Sequence, residues 1–126
     1  MIEAVSEDFT LTGLQRVRWL VKRAAEWVGL AIDVIDNLVL AVSEVASNAI
    51  EHAGGRGHLM IWRGPGTLTV EISDRGPGLP ARFTTDCPDP TAVNGRGLWL
   101  ARCLFPDMVV MNHDDGLTVR FVAVRA

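Results

Sequence analysis

The sequence predicts an α+β fold of two layers: a mixed, mostly antiparallel sheet covered on one face by three helices at residues 13–28, 32–53 and 96–105. Three observations predict it. Apolar residues recur every three or four positions through residues 14–28 and 38–53, the period of a helix that buries one stripe. Residues 67–73 alternate Leu68, Val70 and Ile72 with Thr69 and Glu71, the period of a half-buried strand. Breaks rich in glycine and proline at residues 54–57, 63–66, 76–80 and 106–107 cut the chain into short elements.

The size fits one core. A chain of 126 residues and 13.7 kDa, 48% apolar and 21% charged, is expected to form a single domain over residues 1–126. A net charge of -3 and a pI near 5.5 argue against a nucleic-acid partner, because affinity for a phosphate backbone comes from many Lys and Arg residues. The first residues lack a basic, then apolar, leader, and no apolar run reaches the roughly 18 residues that span a bilayer, so no membrane association and a cytoplasmic location are expected. Cys87 and Cys103 form no Cys-x-x-Cys pair, and His52, His58 and His113 lack ligand spacing, so neither a redox motif nor a zinc site is indicated.

In chain order, residues 1–9 read as an extended segment without clean alternation. Thr12 and Gln15 have capping-box spacing and start the first helix at Gly13 or Leu14. Leu14, Val17, Val21, Ala24 and Val28 form its buried stripe, Arg16, Arg18, Lys22, Arg23 and Glu26 its wet side, and Gly29 its end. Trp19 lies off the stripe, either packed at the edge of the core or anchoring a partner. Asp33 and Asp36 open the second helix, where carboxylates complement the dipole.

That helix carries the first chemical landmark. Leu38, Val42, Val45, Ala49 and Ala53 make its core stripe, and Glu44, Asn48 and His52 follow one another four apart on the neighbouring one. A carboxylate and an amide stacked at the border of an apolar face suit a hydrated divalent cation and a proton acceptor; a plain amphipathic helix with solvated polar residues fits the same spacing.

Strands are expected at residues 58–62 and 67–73, joined by a tight turn. Directly after them stands Asp74-Arg75-Gly76-Pro77-Gly78, which cannot continue the strand and leaves Asp74 pointing out of its terminus. A carboxylate there can accept a hydrogen bond from an exocyclic amine such as that of adenine, and the glycines let a flat ring approach; a capped turn is the other reading. Residues 81–94 read as a long loop. Gly95-Arg96-Gly97-Leu98 then precedes an apolar helical run, so successive backbone amides at a helix N-terminus could receive phosphate oxygens, or simply start a helix. Trp99, Leu100 and Leu104 are expected in the core. A short strand at 108–111, a turn at 112–116 and a last strand at 117–124, with Thr118 near its start, complete the sheet.

The landmarks stand in a distinctive order: Glu44-x-x-x-Asn48 on a helix, Asp74-x-Gly76-x-Gly78 after a strand, Gly95-x-Gly97-Leu98 before a helix, Thr118 in the terminal strand. Over about residues 9–124 this resembles the GHKL superfamily of ATPases and kinases with its Bergerat ATP-binding fold. With no phospho-accepting histidine hairpin or transducer domain, the stretch Ser43-Glu44-Val45-Ala46-Ser47-Asn48-Ala49-Ile50-Glu51-His52-Ala53 is most similar to the stand-alone anti-sigma-factor serine/threonine kinases of bacteria. The resemblance implies ATP and Mg²⁺ as cofactors. Asn48 would give its amide oxygen to Mg²⁺ and Glu44 would be the general base. Asp74 would bind the adenine amine with Thr118 beside it, Gly76 and Gly78 would make room for the ring, and Gly95, Arg96, Gly97 and Leu98 would cradle phosphates. It also implies an anti-sigma-factor antagonist protein as substrate, a sigma factor as a further partner, and homodimerisation through the first helix, where Trp19 lies. His52 matches a histidine common at that family position and is assigned to packing. One departure stands out: residues 81–94 contain a single basic residue, Arg82, which leaves little side-chain charge for the γ-phosphate and opens an alternative, a nucleotide-responsive module that sequesters a partner without phosphorylating it.

Overall fold

In a computed structural model of the chain, residues 1–76 and 96–126 are described, the side chains of 96 and 97 excepted. The elements run β1 (Ile2–Thr10), a 3₁₀ turn (Leu11–Gly13), α1 (Leu14–Val28), α2 (Ile32–His52), β2 (Arg56–Gly64), β3 (Thr67–Ser73), α3 (Arg96–Leu104), β4 (Val109–His113) and β5 (Gly116–Val124). The strands form one sheet in the order β1-β2-β3-β5-β4. Every pairing is antiparallel, so among the described residues the sheet has no parallel component.

Alternation sets which face meets the helices. Leu59 and Ile61 of β2, Leu68, Val70 and Ile72 of β3, and Leu117, Val119, Phe121 and Ala123 of β5 are all buried. Their registers place Val70 opposite Ile61 and Phe121, so one face is a continuous apolar surface. Against it lies α2, which buries Ile35, Leu38, Ala41, Val42, Val45, Ala46 and Ala49 and is flanked by α1 and α3. Phe105, just past α3, meets Phe121 edge to face with centroids 5.6 Å apart.

Local chemistry explains the element ends. Gly29 takes the left-handed conformation (φ 87°) and its N–H returns to the Ala25 and Glu26 carbonyls, closing α1. Gly54 and Gly55, at φ 77° and 85°, turn the chain from α2 into β2. The capping box expected at Thr12 does not form. The chain enters α1 through the 3₁₀ turn, Gly13 occupies the cap position, and the Thr12 hydroxyl meets that of Thr10 at 3.2 Å instead. The expected core face of α3 also turns: Leu98 and Ala101 are fully buried and Leu104 packs beside them, whereas Trp99 and Leu100 are only half-buried. The segment read as extended over residues 1–9 is a full edge strand, Ile2–Thr10, on which Phe9 alone is buried.

Candidate functional site

The site residues come from three places in the chain. On α2, Glu44 and Asn48 are half-buried beside the fully buried Ala41 and Ala46, at the border of the apolar stripe as the sequence predicts. Their donor set is one carboxylate and one amide oxygen a turn apart. Such a pair suits Mg²⁺, which keeps several waters and takes few protein ligands. A caged site is a different matter: among the described residues no group of three His, Cys, Asp or Glu could hold a metal ion.

The end of β3 is built in more detail. The backbone N–H of Asp74 donates to the Leu117 carbonyl (2.9 Å), continuing the β3–β5 ladder one residue further. Its side-chain Oδ1 then accepts two backbone N–H groups, from Gly76 at 3.0 Å and Leu117 at 3.3 Å. Among the described residues no donor reaches Oδ2. The carboxylate is therefore fixed through one oxygen and presents the other as an acceptor, a geometry that fits the exocyclic amine of a purine.

Gly76 is required by contact. A Cβ there would lie 2.7 Å from the Ala53 Cβ and 3.0 Å from the His52 carbonyl oxygen, so the turn after Asp74 lies directly on the C-terminal end of α2. Gly116 is a second such position, which sequence reasoning missed, because a Cβ on it would run into the Asp74 carbonyl. The fold thus holds Asp74 from both sides. His52 contributes its backbone to this packing, while its side chain stands exposed beside Glu51 at 3.6 Å.

A cavity of about 730 Å³ opens at this end of the sheet, lined among the described residues by Ala53, Gly54, Ser73, Asp74, Arg75 and Gly116 with neighbours from β1, β2 and β4. Neither Glu44 nor Asn48 lines it. Thr118 is not brought to the helix side either. Leu117 and Val119 point into the core, so Thr118 faces the opposite side of the sheet, where its hydroxyl meets that of Ser73 at 3.2 Å. Leu98 is fully buried in the core, which leaves its backbone amide in the first turn of α3 as the only part able to face a phosphate. Gly78 and Gly95 lie outside the described residues, as do residues 81–94 and the side chain of Arg96.

Two helix-bordered polar residues, a strand-end carboxylate held by its neighbours' amides, and a glycine turn seated on the long helix stand on an α+β sandwich. Residues 9–123 match the model of the histidine kinase-like ATPase domain, and the chain belongs to that family. It is similar to the serine-protein kinase RsbW of Bacillus mycoides, with 29% identity over 116 residues that cover 82% of this chain and 72% of the relative. RsbW of Bacillus anthracis is 28% identical over the same coverage. Among solved structures, the RsbU and RsbW domains of Rv1364c from Mycobacterium tuberculosis superpose with a TM-score of 0.66 at 20% identity, covering 96% of this chain and 32% of that longer one. The catalytic domain of the histidine kinase ThkA superposes with a TM-score of 0.59 at 18% identity and 97% coverage of both chains. The resemblance to GHKL proteins and the two-layer fold expected from the sequence are both borne out. No helix among the described residues is long and apolar enough to cross a membrane.

Proposed function

We propose that this chain binds Mg²⁺-ATP and transfers the γ-phosphoryl group to a Ser or Thr hydroxyl of an anti-sigma-factor antagonist, with a sigma factor as a second partner. The observation that carries the reading is Asp74, whose Oδ1 is tied to two backbone amides while no donor among the described residues reaches Oδ2, the oxygen that would accept from the adenine amine. Membership of the histidine kinase-like ATPase family and similarity to serine-protein kinases support it.

In this reading Gly76 and Gly78 keep side chains out of the ring's approach, and the amides of Gly95, Arg96, Gly97 and Leu98 receive the phosphates at the start of α3. Asn48 would hold a magnesium ion through its amide oxygen, and the ion would supply positive charge to the phosphates. Glu44, one turn before Asn48, takes the proton of the attacking hydroxyl as its oxygen bonds to the γ-phosphorus and the bond to the β-phosphate oxygen breaks. Thr118 fixes the β3–β5 register behind Asp74 through Ser73 rather than touching the ring.

The test mixes the chain, radiolabelled ATP, Mg²⁺ and a candidate antagonist. Labelling of the antagonist is expected to fall about 10²-fold or more in Glu44→Ala, the usual weight of a general base. Equal labelling by both proteins would remove Glu44 from the mechanism. A second reading, a nucleotide-responsive module that sequesters its partner without phosphorylating it, is favoured by one sequence fact: Arg82 is the only basic residue between 81 and 94. Under it, calorimetry registers ATP binding that Asp74→Asn weakens, yet no antagonist is labelled.

A further inference from the structure

A cluster of reactive side chains lies on the face of the sheet turned away from the helices. Ser6 and Asp8 stand 52 and 50 residues from His58 in the chain, and strand pairing brings the three together. Asp8 lies directly opposite His58 in the β1–β2 register, and Ser6, two residues along β1, shares the face of Asp8. Their neighbours Phe9 and Leu59 are buried under the helices, which turns all three side chains to the other side. The His58 Nδ1 lies 2.7 Å from the Asp8 Oδ1, and the Nε2 lies 3.0 Å from the Ser6 Oγ. A neutral imidazole that gives its Nδ1–H to a carboxylate carries its lone pair on Nε2, facing the serine hydroxyl. A hydroxyl, a base and a carboxylate that orients the base, joined through those atoms, make up the constellation of nucleophilic serine catalysis.

The surroundings supply access, positive charge and a donor for an oxyanion. Ser6 and Asp8 are exposed and His58 is half-buried, so a substrate reaches them from solvent. Asp8 and His58 line the cavity of about 730 Å³ at this end of the sheet, and so do Arg56 and Arg75; Asp74 and Asp115 are its other acids. Both arginines are close enough to Asp8 for their charge to help His58 hold its carboxyl below the ordinary 3.8. Arg56 is two residues from His58 on β2 and so shares its face. Among the described residues neither arginine forms a salt bridge. No strand among the described residues covers the outer edge of β1, so alternate backbone amides face outward there, where a developing oxyanion can take one.

From this we infer that Ser6 is an activated nucleophile that takes an acyl group from an ester carrying an anionic group, with His58 as its base, Asp8 holding the imidazole and Arg56 receiving the anion. The Ser6 Oγ bonds to the acyl carbon as its proton passes to the His58 Nε2. The bond from that carbon to the alcohol oxygen then breaks, and the proton leaves with the alcohol. Water attacks the same carbon, gives its proton to that nitrogen and releases the acid, and the proton returns to the Ser6 Oγ. No nucleotide enters these steps, so the inference does not rest on the kinase reading.

The test mixes the full chain with para-nitrophenyl acetate, or with its analogue bearing one carboxylate on the ring, follows nitrophenolate release and locates the acetyl group by mass spectrometry. The acetyl group is expected on Ser6, with the carboxylate ester reacting about tenfold faster, the weight of one hydrogen bond between charged groups. Ser6→Ala is expected to abolish the adduct. His58→Gln keeps a hydrogen-bonding side chain but no comparable base, and is expected to slow acylation about 10²-fold or more. Arg56→Ala is expected to bring the two esters to the same rate. The parent chain decides the site without any variant: acetyl on Lys22 or the N-terminal amine and none on Ser6 overturns the inference. So do equal rates in His58→Gln and the parent, nitrophenolate release that persists undiminished in Ser6→Ala, and a parent chain that treats the two esters alike.

Discussion

The Asp74 side chain closes the turn through Oδ1, and among the described residues no donor reaches its Oδ2. Asp74→Asn keeps the shape but replaces the charged acceptor. A hydrogen bond to a charged group contributes about 1.5–3 kcal/mol, so ATP affinity measured by calorimetry is expected to fall roughly ten- to a hundredfold. An unchanged Kd would mean that the carboxylate only caps the turn. Gly76→Ala acts on the same turn by another route, because its methyl group would stand 2.7 Å from that of Ala53. Overpacking of this kind costs about 1–3 kcal/mol, which a urea midpoint will register as a loss of stability. Residues such as Asp74 and Gly76 are legible in the sequence because a strand pattern stops there against turn-forming neighbours. Gly116 is not, since what forces it is the Asp74 carbonyl arriving from a remote part of the chain. Thr118 shows the opposite failure: its position in the strand is read correctly, but the side of the sheet it faces depends on which of its neighbours enters the core.

At the scale of the element, α2 was the most legible because its periodicity is long and its buried stripe unbroken. The sequence-based reading separates Leu38, fully buried, from Leu40, 44% exposed on the same helix. Leu38→Ala is expected to destabilise the fold by about 2–5 kcal/mol and Leu40→Ala by less than about 0.5, as measured by chemical denaturation. The edge strand β1 was the least legible, since it lacks the apolar alternation of β3 and is held largely by polar contacts. Arg16 donates to both oxygens of Glu7 at 2.9 and 2.6 Å, and His58 joins Asp8 at 2.7 Å through Nδ1 and Ser6 at 3.0 Å through Nε2. The hydrogen bond from Arg16 holds the Glu7 carboxyl below its ordinary 4.5, and that from His58 holds Asp8 below 3.8. A depressed carboxylate pKa means a contribution that is present at neutral pH and lost as the pH falls below those ordinary values and through the lower folded ones. Both groups are close to solvent, so the effect is small and screened by salt. Hydrogen exchange on acidification is expected to lower the protection of β1 before that of β3, and simultaneous loss across the sheet would contradict it.

Across the whole molecule, the sheet separates two kinds of surface. At one end, Asp74, Gly76 and the end of α2 form the candidate nucleotide site; at the other, Trp27 stands exposed with the half-buried Arg63 stacked on its ring. Trp27 lies two turns beyond Trp19, off the buried stripe of α1, so the pattern places both outside the core and folding shows how far each is exposed. The separation can be measured in one experiment. A ligand that binds only the folded chain stabilises it by about 2.7 kcal/mol when present at a hundred times its Kd. For a chain of 126 residues that is a rise in Tm on the order of 10 °C. Saturating Mg²⁺-ATP is therefore expected to raise the Tm of the parent chain and of Trp27→Ala by the same amount, and to raise that of Asp74→Asn far less at the same ATP concentration. A shift that is lost in Trp27→Ala would show that the two ends of the sheet are coupled, and a full shift in Asp74→Asn would move the nucleotide away from the strand-end carboxylate.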